Sequence, residues 1–153
     1  MLWQGQEFAD AYVLPASGDA RIHFRRDVHW EYFYDDRGSP LVRLYRVLGD
    51  LRQSVAALRS RQSFYYNAES RPGDGVVAYR RRAAGEDQLA LVFLNFSDRH
   101  QPVSVPVDRP GTYREMIDRD VRQTPFEITI ASAGEDMTVE IPSHYGFVFV
   151  SVG

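Results

Sequence analysis

The chain has 153 residues, 44% hydrophobic and 13% aromatic, enough for one compact domain or one domain plus a further segment. A net charge of -3 with a pI near 5.8 excludes the basic footprint of a nucleic-acid binder. Zero cysteines exclude a disulfide framework, a thiolate zinc site and a cysteine nucleophile. The basic residues are all arginine, which reads as the codon bias of a GC-rich genome. Met1-Leu2-Trp3-Gln4 has neither the basic nor the apolar region of a secretion signal, so a cytoplasmic protein is expected.

In chain order, residues 1–8 read as an apolar strand running into Gly5-Gln6-Glu7-Phe8. A domain that opens in mid-strand would leave an unpaired edge, so a C-terminal piece of something longer is expected. Residues 9–38 are punctuated by Pro15, Gly18 and Gly38 and by Asp10, Asp19, Asp27, Asp35 and Asp36, which predicts a loop. Within it lies an aromatic knot, His29-Trp30-Glu31-Tyr32-Phe33-Tyr34. A loop this long in a compact domain tends to be functional.

Residues 39–60 predict one helix. Ser39 is the expected N-cap, and Pro40 takes the first helical position. Leu41, Leu44, Tyr45, Leu48, Leu51, Val55 and Leu58 form the apolar stripe.

From Ser63 the period changes from 3.6 to 2. Ser63–Tyr66 predicts a strand. Gly75–Arg80 and Leu89–Ser97 predict a hairpin turning at Gly85-Glu86-Asp87. The run Leu89–Leu94 has no polar face and predicts a strand covered on both sides. It is far too short for a membrane span, which takes about 20 residues, and no membrane partner is expected. Val103, Val105 and Val107 alternate with Ser104 and Pro106, as in an edge strand. Further strands follow at Thr112–Ile117, Phe126–Ile130, Met137–Ile141 and Tyr145–Val150. Seven or eight short strands at this spacing predict a mainly β fold: an antiparallel Greek-key β-sandwich preceded by one long amphipathic helix.

Five stretches in this order carry a resemblance: Gly5-Gln6-Glu7-Phe8, the aromatic loop, a helix ending Val55-Ala56-Ala57-Leu58-Arg59, Val77-Ala78-Tyr79-Arg80, and Val92-Phe93-Leu94-Asn95-Phe96-Ser97. Together they resemble the C-terminal portion of the alpha-amylase superfamily of glycoside hydrolases and transglycosidases. The Gln-Glu-Phe variant looks most like branching enzymes and trehalose-forming relatives. The resemblance implies that residues 1–61 are the terminal strand, loop and last helix of a truncated (β/α)8 barrel, and that 62–153 are the all-β C-terminal domain. The family's catalytic aspartate nucleophile, glutamate acid/base and second aspartate lie upstream of this chain. No catalytic residue is therefore assigned, and the chain alone is expected to be inactive although its parent is an enzyme. The implied partner is an alpha-glucan or maltooligosaccharide, with no cofactor.

Gln6 and Glu7 would sit at the barrel's C-terminal face, as a sugar contact, as support behind one, or as a structural hydrogen bond closing the barrel. Trp30, Tyr32 and Tyr34 offer ring faces to a pyranose, or simply pack the loop on itself. The substrate-binding set expected is Gln6, Glu7, Trp30 and Tyr32. Phe64, Tyr65 and Tyr66 are weighed as a sugar platform against half core and half interface. Arg80-Arg81-Arg82 is a solvated strand end. His23, His29, His100 and His144 have no metal-ligand spacing, and no metal is expected. The sequon Asn95-Phe96-Ser97 lies at the end of the most buried strand and is discounted. The truncated first strand predicts residues 1–30 that are mobile, fold back on the helix or pair with another copy of the chain. The competing reading is a free-standing carbohydrate-binding module, which would have no use for the helix or for Gly-Gln-Glu.

Overall fold

The computed structural model describes residues 5–10, 16–19, 27–85 and 87–152. The strand expected over residues 1–4 lies outside them, and Gln6–Phe8 form a single 3-10 turn. Two compact units are present, Met1–Gly49 and Asp50–Gly153.

The second unit is the β-sandwich. Its strands are β1 (Gln62–Tyr65), β2 (Val76–Arg82), β3 (Leu89–Asn95), β4 (Gln101–Val107), β5 (Gly111–Glu115), β6 (Glu127–Ile130), β7 (Glu135–Ile141) and β8 (Tyr145–Val152). Six form one sheet in the order β1-β2-β3-β8-β5-β6, while β4 pairs with β7 in a second sheet, all antiparallel. The chain leaves the large sheet after β3, returns for β5 and β6, leaves again for β7, and inserts β8 between β3 and β5. That is the Greek-key path.

The apolar run of β3 is explained by its two neighbours and its two covered faces. Leu89, Leu91 and Phe93 point into the sandwich with Val76, Ala78, Phe147 and Phe149, opposite Val103, Val105, Val107, Met137, Val139 and Ile141 of the small sheet. Ala90 and Val92, on the other face, are buried as well. The small sheet alternates cleanly instead, with Ser104 and Thr138 bonded hydroxyl to hydroxyl (2.8 Å) on its outside. Pro102 and Pro106 fall on a strand with one partner, as a residue lacking an N–H requires. Tyr113 buries its ring completely and donates its hydroxyl to the Arg109 carbonyl (2.9 Å).

The continuous helix expected over 39–60 is interrupted. Helix α1 runs Gly38–Ser54, Val55 is extended (φ -104°, ψ 105°), and α2 is the single turn Ala56–Arg59. Ser54 turns its hydroxyl back onto the Asp50 carbonyl (2.8 Å), and β-branched Val55 suits the extended conformation. Groups at the break and at the helix end find partners inside the unit. Ala57 N–H donates to the Gln88 side chain (3.1 Å), Arg81 donates to Leu58 O (2.8 Å), and Arg59 donates to Arg52 O (3.0 Å). These bonds anchor α2 to β2 and to the Gln88 end of the hairpin, and Leu51, Val55 and Ala57 are buried. The cap also differs from expectation. Asp35, not Ser39, accepts from the N–H groups of Arg37 (2.9 Å) and Gly38 (2.6 Å), so the first turn begins earlier. On the predicted stripe Leu48 is exposed, whereas Val42 and Val47 are buried.

Asn95 joins the two sheets at the end of β3. Its amide nitrogen donates to the carbonyls of Arg99 (2.7 Å), Ile141 (3.1 Å) and Pro142 (2.9 Å), and its oxygen accepts from Ser97 N–H (2.9 Å) and hydroxyl (2.7 Å). Gln101 and Arg71 extend the network, Arg71 reaching Gln101 Oε1 (3.1 Å) and Pro102 O (2.9 Å). Asn95→Ala strips the donor from three carbonyls, that of Ile141 buried, and is expected to cost about 1–3 kcal/mol in urea unfolding of the full chain. Asn95→Asp is expected to cost more, because it turns a carboxylate oxygen toward those same carbonyls.

Candidate functional site

In the first unit the four candidate residues lie on two short turns that meet at one buried ring, Phe8. Gly5 adopts a left-handed conformation (φ 84°) and starts the 3-10 turn, where its O accepts from Phe8 N–H (3.2 Å) and Asp10 N–H (2.9 Å). This reversal carries Gln6 and Glu7 on the outside of the turn and drives Phe8 inward, to 1% exposure. A second 3-10 turn, Trp30–Phe33, packs its rings on Phe8. Trp30 lies 5.7 Å away between centroids, and Phe33 lies 6.0 Å away, edge-on. Phe33 in turn meets Tyr34 (4.9 Å) and has the Arg46 guanidinium over its ring (5.8 Å).

The rings divide by role. Phe8 supports; Trp30, 62% exposed, and Tyr34, 81% exposed, present faces to solvent. Tyr32 is half-buried and tilts against His29 (5.4 Å). Gln6 is exposed and Glu7 partly so. The aromatic knot thus leaves two rings, Trp30 and Tyr34, largely exposed at the surface.

Two features were not read from the sequence. One is Phe8, which carries no polar signal. The other is the pair Asp10–His29. His29 Nδ1 lies 2.8 Å from Asp10 Oδ1, and its backbone N–H donates to Oδ2 (3.3 Å), across 19 positions. The sequence places His29 between Asp27 and Glu31, but the carboxylate that bonds it comes from the other turn. The hydrogen bond to Asp10 raises the His29 pKa above the ordinary imidazole value, and the same bond lowers that of Asp10. Stabilisation from a raised imidazole is present below its unfolded value and lost as pH rises through the folded one. Stabilisation from a lowered carboxyl is present above its unfolded value and lost as pH falls through the folded one. The pair therefore holds best between the two.

Elsewhere in the β unit, charged groups are used structurally. Buried Glu115 accepts from the N–H groups of Ile117 (2.6 Å) and Asp118 (3.1 Å), and Tyr145 donates its hydroxyl to Asp118. A cleft of about 460 Å³ beside Arg109 and Gln88 contains an ion pair that satisfies itself, Arg109 to Asp87 at 2.9 Å. Phe64 and Tyr65 are half-exposed on β1, while Tyr66 is buried. Among the described residues no group of three or more acidic or histidine side chains converges on a metal position, and no helix is long and apolar enough to cross a membrane.

Eight antiparallel strands in a six-plus-two Greek-key sandwich, with a helical turn hydrogen-bonded to the large sheet, define an all-β accessory domain. The model of the family described as alpha amylase, C-terminal all-beta domain, matches residues 66–152, more than half of the chain, and the chain belongs to that family. Among solved structures it is similar to an Anoxybacillus alpha-amylase (16% identity, TM-score 0.56, 78% of this chain and 24% of that one). It is likewise similar to the alpha-amylase of Geobacillus thermoleovorans in complex with acarbose (18%, 0.56, 78% and 24%). A third is CldA, a cyclomaltodextrin glucanotransferase with a three-domain ABC distribution (20%, 0.51, 74% and 22%). At these identities the likeness is one of fold, and the chain spans about a quarter of the length of those proteins. No curated protein sequence matches it.

Three outcomes are expected from this geometry. A Cβ at Gly38 would fall 1.7 Å from Tyr32 O and 2.9 Å from Phe8 O, backbone atoms that cannot step aside. Gly38→Ala is expected to cost more than the usual ~1–3 kcal/mol of overpacking in thermal unfolding followed by tryptophan fluorescence. Gly49→Ala, with nothing within 4 Å in the same helix, is expected to gain about 0.5–1 kcal/mol. In an NMR titration the His29 ring is expected to titrate above the ordinary imidazole range, and Asp10→Asn to return it toward that range.

Proposed function

We propose that this chain is the non-catalytic C-terminal part of an enzyme acting on alpha-glucosidic bonds. Its β-sandwich packs on the last helix of the catalytic barrel and stabilises it. The observation that carries this reading is the seating of α2, whose Ala57 N–H and Leu58 carbonyl are bonded by Gln88 and Arg81 of the β2–β3 hairpin. A free-standing module would not need its sheet to satisfy the end of a helix. The family membership and the two alpha-amylases of like fold support the same reading. In it, Trp30 and Tyr32 stack on glucose rings while Gln6 and Glu7 bond sugar hydroxyls. Whether the parent hydrolyses, branches or transfers is decided by barrel residues upstream of this set.

The alternative, a carbohydrate-binding module, is favoured by one observation: Tyr65 is half-exposed, with its ring 5.2 Å from that of Tyr79. Titration with maltoheptaose separates the two. The expected result is saturable binding by isothermal titration calorimetry and no new reducing ends. Trp30→Ala is expected to weaken binding about tenfold, while Tyr65→Ala leaves it unchanged. Loss of binding in Tyr65→Ala alone would favour the module, and cleavage would overturn the non-catalytic assignment.

A further inference from the structure

The four candidate glucan contacts arrive on two separate turns. Gln6 and Glu7 come from the turn that Gly5 starts, and Trp30 and Tyr32 from the turn that His29 precedes. Phe8 is the apolar contact between these turns, but a ring contact with centroids 5.7 Å apart tolerates sliding. Among the described residues, Asp10 and His29 supply directional bonds between the turns. Asp10 is tied to Gly5 O through its N–H and sits so close that a Cβ on Gly5 would approach Asp10 Cβ to 2.6 Å. Its two carboxylate oxygens receive the backbone N–H and the ring nitrogen of His29, the residue before Trp30. The Asp10 side chain is 9% exposed, whereas the His29 ring is 41% exposed and open to protons from solvent.

We propose that Asp10 and His29 are positioning residues that clamp the Gln6–Phe8 turn to the Trp30–Phe33 turn, and that proton loss from His29 loosens this clamp and weakens glucan binding. The inference rests on the glucan-contact reading above. Among the described residues, the charged groups acting on His29 are Asp10, Asp27 and Glu31, all acidic, and its ring lies against Tyr32; the Arg46 cation sits on Phe33. Each of the three carboxylates favours the protonated imidazole, Asp10 foremost. Neutral His29 keeps a proton for Asp10 only in the Nδ1–H tautomer, and the bond it then makes to the carboxylate has lost the attraction of the imidazolium charge. The clamp therefore relaxes rather than vanishes, and affinity is expected to fall about fivefold across the His29 transition.

His29→Asn tests this, since its amide nitrogen stands near the place of Nδ1 and cannot titrate. His29→Ala removes the bond altogether. In the ligand-free full chain, the ring-to-ring nuclear Overhauser effect between Phe8 and Trp30 is followed from about pH 5 to 8, with the His29 titration. Maltoheptaose affinity is measured over the same range. Wild type is expected to lose Overhauser intensity and affinity together at the His29 pKa. His29→Asn is expected to show, independent of pH, the lower level of both that wild type reaches above the His29 pKa, and His29→Ala to have less of either. An Overhauser effect indifferent to pH and to His29→Ala would overturn the clamp. A responsive Overhauser effect with unchanging affinity would overturn its link to the ligand. No maltoheptaose binding at any pH, with a responsive Overhauser effect, would support the clamp and overturn the glucan reading on which its purpose rests.

Discussion

A strand without a polar face has to be covered twice, and β3 sets that requirement for the whole β unit. One cover is the small sheet, whose inward valines, Met137 and Ile141 meet Leu89, Leu91 and Phe93. On the other face Ala90 and Val92 are buried too, and the neighbouring hairpin bonds the turn α2. At Val55 the helix breaks, and the Ala57 N–H of the turn beyond it bonds Gln88 of the hairpin, while the Leu58 carbonyl, a helix-end acceptor in any case, is capped by Arg81.

The first unit solves a different problem, that of holding short turns in place without a sheet. It does so with one buried phenylalanine, one glycine that lets Tyr32 and Phe8 carbonyls approach the helix, and one carboxylate–imidazole pair. Such an arrangement leaves Trp30 and Tyr34 facing water.

The β half was legible because its signals are periodic. The β2–β3 hairpin, the alternation of β4 and the apolar run of β3 each follow from side-chain pattern alone, and so does the sandwich. Less was legible where the cause is tertiary. The stripe through Val55 reads as one helix, and nothing local announces that Gln88 and Arg81 take over its last turn. Asp35 outcompetes Ser39 as the cap because the chain enters the helix from the aromatic turn. The site was legible as types of residue, aromatic and acidic, but not as a constellation. Asp10 and His29 stand 19 positions apart, and no spacing rule connects them.

Double coverage also bears on how freely this sequence can drift. A strand with one wet face can change every second residue at little cost; β3 has no such positions from Leu89 to Phe93. Room for change lies instead on the outside of the small sheet, at Pro102, Ser104, Pro106, Thr138 and Glu140, which touch water and not the core. A domain built this way spends its sequence constraint on one central strand and leaves its outer wall nearly unconstrained. Two such domains can therefore share a backbone while agreeing at only 16–18% of positions.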